Sequence, residues 1–325
     1  MLTDGYARRF TYLRLSVTEA CNFRCNYCLP NGTDCSSERR AGELSLDEIR
    51  RLVTAFAELG IRKVRLTGGE PSLRRDLAEI IACCKRIPGI DTVALTTNGY
   101  RLQRDLPHWQ AAGLDALNVS VDSLDAANFA LITGHDKLRS VLAGLQTAEQ
   151  LGIRQIKINC VLMRDYNAGE IENFLRFVRD RPVTLRLIEL MQTGDNAEFF
   201  RRNHLRGETI AEQLRAGGWQ LQVRAPHAGP AQEYRHPDYR GGIGLITPYG
   251  TDFCASCNRL RVAADGKLFL CLFADQHQDL RPLLREDNPE ALQDFLQTTL
   301  RGKAESHLLH RGQTGATQRL AIIGG

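Results

Sequence analysis

Two sets of three cysteines stand near opposite ends of this 325-residue chain. Cys21, Cys25 and Cys28 make a Cys-x3-Cys-x2-Cys run, while Cys254 and Cys257 make a Cys-x2-Cys pair completed by Cys271. Thiolates hold iron–sulfur cubanes, normally four at a time. Three thiolates leave one iron with an open position, and open positions bind something other than protein, as in catalytic metal centres. Two such sites in one chain point to two small molecules brought together for difficult chemistry. Zinc is the alternative for the C-terminal set, because Cys-x2-Cys pairs also build zinc ribbons. The N-terminal set is too compact for a ribbon, and only Cys35 follows it within ribbon distance. Cys35, Cys83, Cys84 and Cys160 read as ordinary residues, Cys83 and Cys84 in a helix and Cys160 in an apolar strand.

These residues need a scaffold. Between Leu13 and Met191, short β-branched runs alternate with amphipathic helical stretches. Strands are expected at 13–17, 63–68, 92–99, 116–123, 155–163 and 184–191, with helices between them such as 46–60, 76–87 and 137–152. Six strand–helix units in sequence argue for a parallel α/β sheet. Alternate residues of a strand share a face. Arg14, Ser16 and Thr18 then share one, as do Lys63, Arg65 and Thr67, Asn118, Ser120 and Asp122, and Lys157 and Asn159. A parallel sheet covered on both faces should be nearly all apolar. A curved sheet with helices outside and a wet, cationic cavity inside explains the pattern: an incomplete (β/α)6 TIM-like barrel. After Met191 the period breaks. A helix at 208–218, a Gly/Pro-rich strand-like region at 219–272 and a helical stretch from Pro289 suggest a division into 1–207, a partial barrel, and 208–325, an extension docked on it and covering its mouth.

The first cysteine run, with Tyr27 before its last cysteine, resembles the signature of radical S-adenosylmethionine (SAM) enzymes. Gly68-Gly69-Glu70-Pro71 resembles the glycine-rich segment of that superfamily that binds the methionine amino group. The segments LRLSVTEACNFRCNYCLP, KVRLTGGEPSLRRDL, LTTNGYRL, LNVSVDSLD, RLIELMQTG and DFCASCNRLRVAADGKLFLCLF, with the terminal Gly324-Gly325, resemble the GTP 3′,8-cyclase family of molybdenum cofactor biosynthesis along essentially the whole chain. The resemblance implies a lyase with two 4Fe–4S clusters, one on Cys21, Cys25 and Cys28 and one on Cys254, Cys257 and Cys271. It implies SAM contacts at Tyr27, Gly69, Ser120 and Met191, and GTP contacts at Arg14, Arg65, Thr96, Lys157, Arg259, Leu260 and Arg261. Lys63 and Arg186 are further candidates for the triphosphate. Arg14, Arg261, Gly324 and Gly325 carry implied catalytic roles. The implied reaction is removal of hydrogen from C3′ of GTP by a 5′-deoxyadenosyl radical and attack of the carbon radical on C8. The product is (8S)-3′,8-cyclo-7,8-dihydroguanosine 5′-triphosphate, passed to cyclic pyranopterin monophosphate synthase, and an external electron donor is required.

The residues support that map independently. A triphosphate needs several cations or a helix N-terminus, and no Gly-x4-Gly-Lys-Ser/Thr loop is present to cradle one. Hydrophobic content of 43% and charged content of 25% are ordinary for a globular chain, and a net charge of +4 is too small to argue for nucleic acid. No apolar run reaches membrane-spanning length and no signal-like stretch opens the chain, so disulfides are disfavoured and a cytoplasmic monomer or homodimer, without membrane or nucleic-acid partners, is expected. The rivals are a radical SAM enzyme acting on a peptide beside an auxiliary cluster, and a non-catalytic iron–sulfur or zinc protein. Arg259, Arg261, Lys157 and the Gly-Gly end suit a nucleotide better than a peptide.

Overall fold

The computed structural model describes residues 1–29, 42–223, 228–274, 276–286 and 288–315. Gly324, Gly325 and Cys35 lie outside them.

Six strands form the core in chain order: β1 (Tyr12–Ser16), β2 (Lys63–Thr67), β3 (Thr92–Thr97), β4 (Ala116–Ser120), β5 (Gln155–Leu162) and β6 (Thr184–Glu189). Each pairs in parallel with the next. The helices between them include α1 (Leu46–Glu58), α2 (Leu77–Arg86), α3 (Leu102–Ala111), α4 (Ala126–Thr133), α5 (Leu138–Gln150) and α6 (Ile171–Arg179). Helix α1 starts where the sequence places a capping box: the Ser45 hydroxyl accepts the Glu48 amide, and the Glu48 carboxylate accepts the Ser45 amide at 2.7 Å. Its apolar stripe, Ile49, Leu52, Val53 and Phe56, is fully buried. The alternation of the strands holds. Leu13, Leu15, Val64, Leu66, Leu117, Val119, Ile156 and Ile158 pack into the hydrophobic core under the helices. Ser16, Arg65, Thr67, Asn118 and Lys157, on the other face, are also buried, which a solvated surface face would not be.

Beyond β6 the chain adds strands to the same sheet. Strands β7 (Gln220–Leu221), β8 (Gln232–Arg235), β9 (Gly242–Ile246), β10 (Arg259–Val262), β11 (Lys267–Phe269) and β12 (Gln278–Asp279) join the same sheet, in the order β12-β11-β10-β1-β2-β3-β4-β5-β6-β9-β8-β7. Strand β9 is parallel to β6 and β10 is parallel to β1, so eight consecutive strands run one way. Antiparallel partners, β8 beside β9 and β11 beside β10, follow at each side. The sheet is open: β12 and β7 end it without pairing to each other. The physical reason is the edge problem. A six-stranded parallel sheet leaves unpaired N–H and C=O groups along β1 and β6, and pairing satisfies them. Residues 247–258 connect β9 on one side to β10 on the other, a strap between the two edges that carries Cys254 and Cys257.

The helix at 208–218 is present as Gly207–Ala216, and the one from Pro289 stops at Arg301. Among the described residues no helix is long and apolar enough to cross a membrane.

Candidate active site

Strand direction separates the two cysteine sets. Cys21, Cys25 and Cys28 follow the C-terminal end of β1, whereas Cys257 precedes the N-terminal end of β10, which is parallel to β1. Cys271 follows β11, which runs back antiparallel to β10, and so lies at the same end as Cys257. One set therefore stands at each end of the strands.

The first set sits on a loop that its own side chains anchor. Phe23 is buried against Phe129 and stacks on His135, with ring centroids 6.2 and 5.1 Å away. The Arg24 and Asn26 amides donate to the Thr133 and Ile132 carbonyls at the end of α4. The Cys28 and Leu29 amides both donate to Cys25 O, closing the turn. Tyr27 donates its hydroxyl to Asp122 Oδ2 at 2.9 Å, and the Val161 amide donates to Asp122 Oδ1 at 2.8 Å. Burial pushes the Asp122 carboxyl up to about 6. Burial also raises the Cys25 thiol, reinforced by the negative charges of Asp122, Cys28 and Cys21.

The glycine pair has a use that the sequence did not reveal. A Cβ on Gly69 would stand 2.2 Å from Ala20 O, and one on Gly68, at φ +149°, would stand 2.3 Å from Thr18 O. The close approach is to the chain leading into the cysteine loop: the Gly69 amide donates to Thr18 O and the Glu70 amide to Ala20 O. Glu70, fully buried, accepts from the Ser72 amide, the Thr97 hydroxyl and the Asn98 amide. Asn98 in turn donates to the Asn22 side chain beside Cys21 at 2.8 Å. The segment thus fixes the cysteine loop to the ends of β1 and β3.

The second set lines a cavity of about 1570 Å³ together with Arg14, Lys63, Arg65, Asn118, Lys157, Arg186, Met191, Arg259 and Arg261. Sheet register explains the gathering. Arg261, Arg14 and Arg65 sit side by side across β10, β1 and β2. Thr96, Asn118 and Lys157 form a row across β3, β4 and β5, and Ser120, Asn159 and Arg186 form another across β4, β5 and β6. Leu260, between the two arginines of β10, points to the apolar core instead. The first cysteine set, Tyr27, Gly69, Thr96 and Ser120 are not in the cavity wall, although Arg65 Nη1 reaches Thr96 Oγ1 at 3.2 Å.

Crowded, desolvated cations repel one another, and their proton affinities show it. Burial lowers Arg14 to about 10, opposed by Tyr12 and reinforced by Arg65, Arg259 and Arg186. Burial lowers Arg186 to about 10 and Lys157 to about 7, with Arg186 adding to the effect on Lys157. Burial, then Arg14 and Arg259, hold Arg261 well below its usual value. Such a surface favours an anion.

Several functional neighbours escaped the sequence reading. Tyr12 continues the Arg14 face two residues earlier, the one signal that could have found it. Its hydroxyl bonds Arg65 Nε, and Lys63 Nζ lies 5.2 Å from its ring centroid. Burial opposes its ionisation, but Arg65, Arg14 and Lys63 outweigh burial and bring the phenol down to about 6. Arg8 ties the N-terminus to the strap, donating to Cys254 O at 3.1 Å, Glu305 O at 2.6 Å and Ala304 O at 2.7 Å. Lys303, also buried, donates to Leu270 O beside Cys271. Burial resists ionisation of the Cys257 thiol, yet Arg259 and Lys303 draw it down to about 7. Nothing in the local sequence marks Arg8 or Lys303.

Within each trio the charge of one thiol is felt by its neighbours, Cys21 and Cys28 at Cys25, and Cys257 and Cys271 at Cys254. Among the described residues, no three His, Cys, Asp or Glu side chains are arranged as ligands of a single metal ion.

Comparison with known proteins agrees. The Radical SAM superfamily model matches residues 15–178, and the Molybdenum Cofactor Synthesis C model matches residues 183–309. Proteins named GTP 3′,8-cyclase from Cronobacter sakazakii, Pectobacterium atrosepticum and Stenotrophomonas maltophilia are each 56% identical over 325 residues, covering 100% of this chain and 99% of theirs. Among solved structures, Streptococcus suis SuiB bound to S-adenosylmethionine superposes with a TM-score of 0.60 at 13% identity, covering 90% of this chain and 68% of that one, which shows the fold. The radical SAM family implies a 4Fe–4S cluster and S-adenosylmethionine. With half of its residues shared end to end with those relatives, this chain is an enzyme, a radical SAM cyclase, and belongs to the GTP 3′,8-cyclase family.

Proposed function

We propose that the enzyme converts GTP to (8S)-3′,8-cyclo-7,8-dihydroguanosine 5′-triphosphate, a step of molybdenum cofactor biosynthesis, through hydrogen removal at C3′ and attack of the C3′ radical on C8. The carrying observation is the cationic cavity at the end of the sheet opposite the first trio, with a second thiol trio in its wall. When bound to the first trio, a 4Fe–4S cluster with SAM supplies the radical.

The chain's own residues bind and orient. The row Arg261–Arg14–Arg65 with Lys63, Lys157 and Arg186 offers the triphosphate charge-assisted hydrogen bonds without a P-loop. Cys254, Cys257 and Cys271 would hold a second 4Fe–4S cluster, which would supply a binding point for the guanine, with Arg259 and Arg261 in the same cavity wall. Holding base and phosphates at fixed points limits the motion of the ribose, so that C3′ and C8 meet before either meets another hydrogen donor. Met191 lines the cavity, and Tyr27, Gly69 and Ser120 lie toward the SAM end. Gly324 and Gly325 carry the catalytic role that the family resemblance implies, and the product passes to the next enzyme of the route.

The assay is anaerobic incubation of reconstituted protein with SAM, a strong reductant and GTP. 5′-Deoxyadenosine together with a C3′–C8 cyclised GTP isomer is the expected result. Deoxyadenosine without that isomer would leave the radical chemistry and remove the GTP assignment.

Substrate binding should also take up protons. Lys157, at about 7, is favoured in its charged form by a nearby phosphate, so binding raises its proton affinity. Tyr12, brought down to about 6 by Arg65, Arg14 and Lys63, is likewise favoured in its neutral form by a phosphate beside it. Both shifts have the same sign: GTP affinity falls as pH climbs above about 6 to 7, by at most about tenfold per pH unit for each group. Calorimetric titration in buffers of different ionisation heat reads the uptake directly. Lys157→Arg should remove the part of the slope centred near 7.

A further inference from the structure

A carboxylate stands among the cations that the triphosphate needs. Glu233, on β8, places Oε1 3.1 Å from Lys157 Nζ and 3.9 Å from Arg186 Nη2. The Lys157 side chain is 7% exposed and that of Arg186 is 10%, whereas Glu233 keeps 41% of its side chain open to solvent. All three line the cavity. The contact is built by the sheet. Arg186 on β6 lies opposite Gly244 on β9, and Gly244 lies opposite Glu233 on β8. The middle residue of that row has no side chain. A Cβ there would stand 3.2 Å from Arg186 Cγ and 3.3 Å from Ala231 Cβ, so glycine leaves the lane in which the outer two side chains meet.

The same row leaves capacity unused. Arg186 Nε and Asn159 Oδ1 are buried without a hydrogen-bond partner among the described residues. Buried polar atoms of this kind are costly unless something else satisfies them. Arg186 thus gives one corner of its guanidinium to Glu233, at long range, and keeps another open. Glu233, being partly solvated, can swing away at small cost, whereas the two cations are enclosed.

We infer that Glu233 is a built-in competitor for the substrate's phosphates: it holds Lys157 and Arg186 through its carboxylate until a polyphosphate takes the pair and displaces it. The inference rests on the nucleotide reading above. Exchange of one anion for another keeps the two buried cations compensated throughout, and it weakens binding of any ligand that must evict the carboxylate. A polyphosphate of high charge displaces it, while a ligand that does not reach the pair is indifferent to it. Glu233 therefore sets affinity and discriminates by phosphate charge, without touching the reacting atoms.

The test is equilibrium binding of GTP, inorganic tripolyphosphate and guanosine to cluster-reconstituted wild type, Glu233→Gln and Glu233→Ala, with melting temperatures recorded for each. A competitor predicts about threefold to tenfold tighter GTP and tripolyphosphate for both variants, since a partly screened ion pair no longer has to be broken, and no change for guanosine. A merely structural carboxylate, needed to hold Lys157 and Arg186 in place, predicts the opposite direction. Wild type that binds GTP alongside folded variants that bind it no tighter overturns the role of Glu233 and leaves the nucleotide reading intact. If no form binds GTP or tripolyphosphate, the nucleotide reading fails and this inference with it.

Discussion

Cys25→Ser is expected to abolish SAM cleavage, with 5′-deoxyadenosine falling to the level of a protein-free control. Cys25 is the middle thiol of the first trio, and its carbonyl closes the turn by accepting the Cys28 and Leu29 amides. The substitution leaves that backbone turn intact and removes one iron ligand, so its effect is on the cofactor. Two clusters would bring about eight irons per chain after anaerobic reconstitution, and this variant about four, because the second trio lies at the other end of the strands. An unchanged iron content with continued deoxyadenosine formation would refute the assignment of the trio. A wild-type value of about four would instead refute the second cluster.

Arg14→Met should separate function from stability. Arg14 stands between Arg261 and Arg65 in one row of the sheet, and its proton affinity is lowered by burial and by the cations around it. The folded chain thus holds that charge at a cost, which bound anion offsets. Methionine keeps the length of the side chain without the charge. Cyclisation of GTP should fall by about a hundredfold or more, as when a charge-stabilising donor is removed from an active site. The melting temperature measured without nucleotide should stay level or rise. A lower melting temperature would mean that Arg14 is a structural brace, contrary to its proposed role. In either variant, the two readings are separate measurements on one preparation.

The contrast between those two residues and the ones the sequence did not reveal is physical. Arg14, Arg65 and Lys157 could be placed on one face because strand side chains alternate with period two, and that period survives in β1, β2 and β5. The same rule reaches Tyr12, yet an aromatic residue at a strand start reads as core until its hydroxyl is seen against Arg65. Glu233 meets Lys157 across 76 residues of chain, through a register that no local pattern encodes. Strands β9 and β10 fall within the strand-like region read at 219–272, but their parallel places beside β6 and β1 are not marked locally. Gly242 and Gly244 interrupt the apolar run of β9, and β10 follows a turn rather than a helix, so neither shows the strand–helix rhythm that marked the first six. Gly68 and Gly69 were legible as a place of close approach, but what approaches them in the structure is the backbone of Thr18 and Ala20. The Gly-Gly tail lies beyond the described residues.

The placement of β9 and β10 has a consequence for how the chain comes to be folded. During synthesis the six core strands are complete once Glu189 has been made, but both of their flanks remain open templates for strand addition. The partner for β6 begins at Gly242 and the partner for β1 ends at Val262, so one late stretch of chain closes both flanks in quick succession. Without that stretch the six strands alone would have two unpaired borders, the kind of edge that can pair with a neighbouring copy. The cysteines of the strap emerge between the two closing strands. Sealing the sheet and bringing Cys254 and Cys257 to its end are therefore a single event in the life of the polypeptide, with Cys271 following after β11.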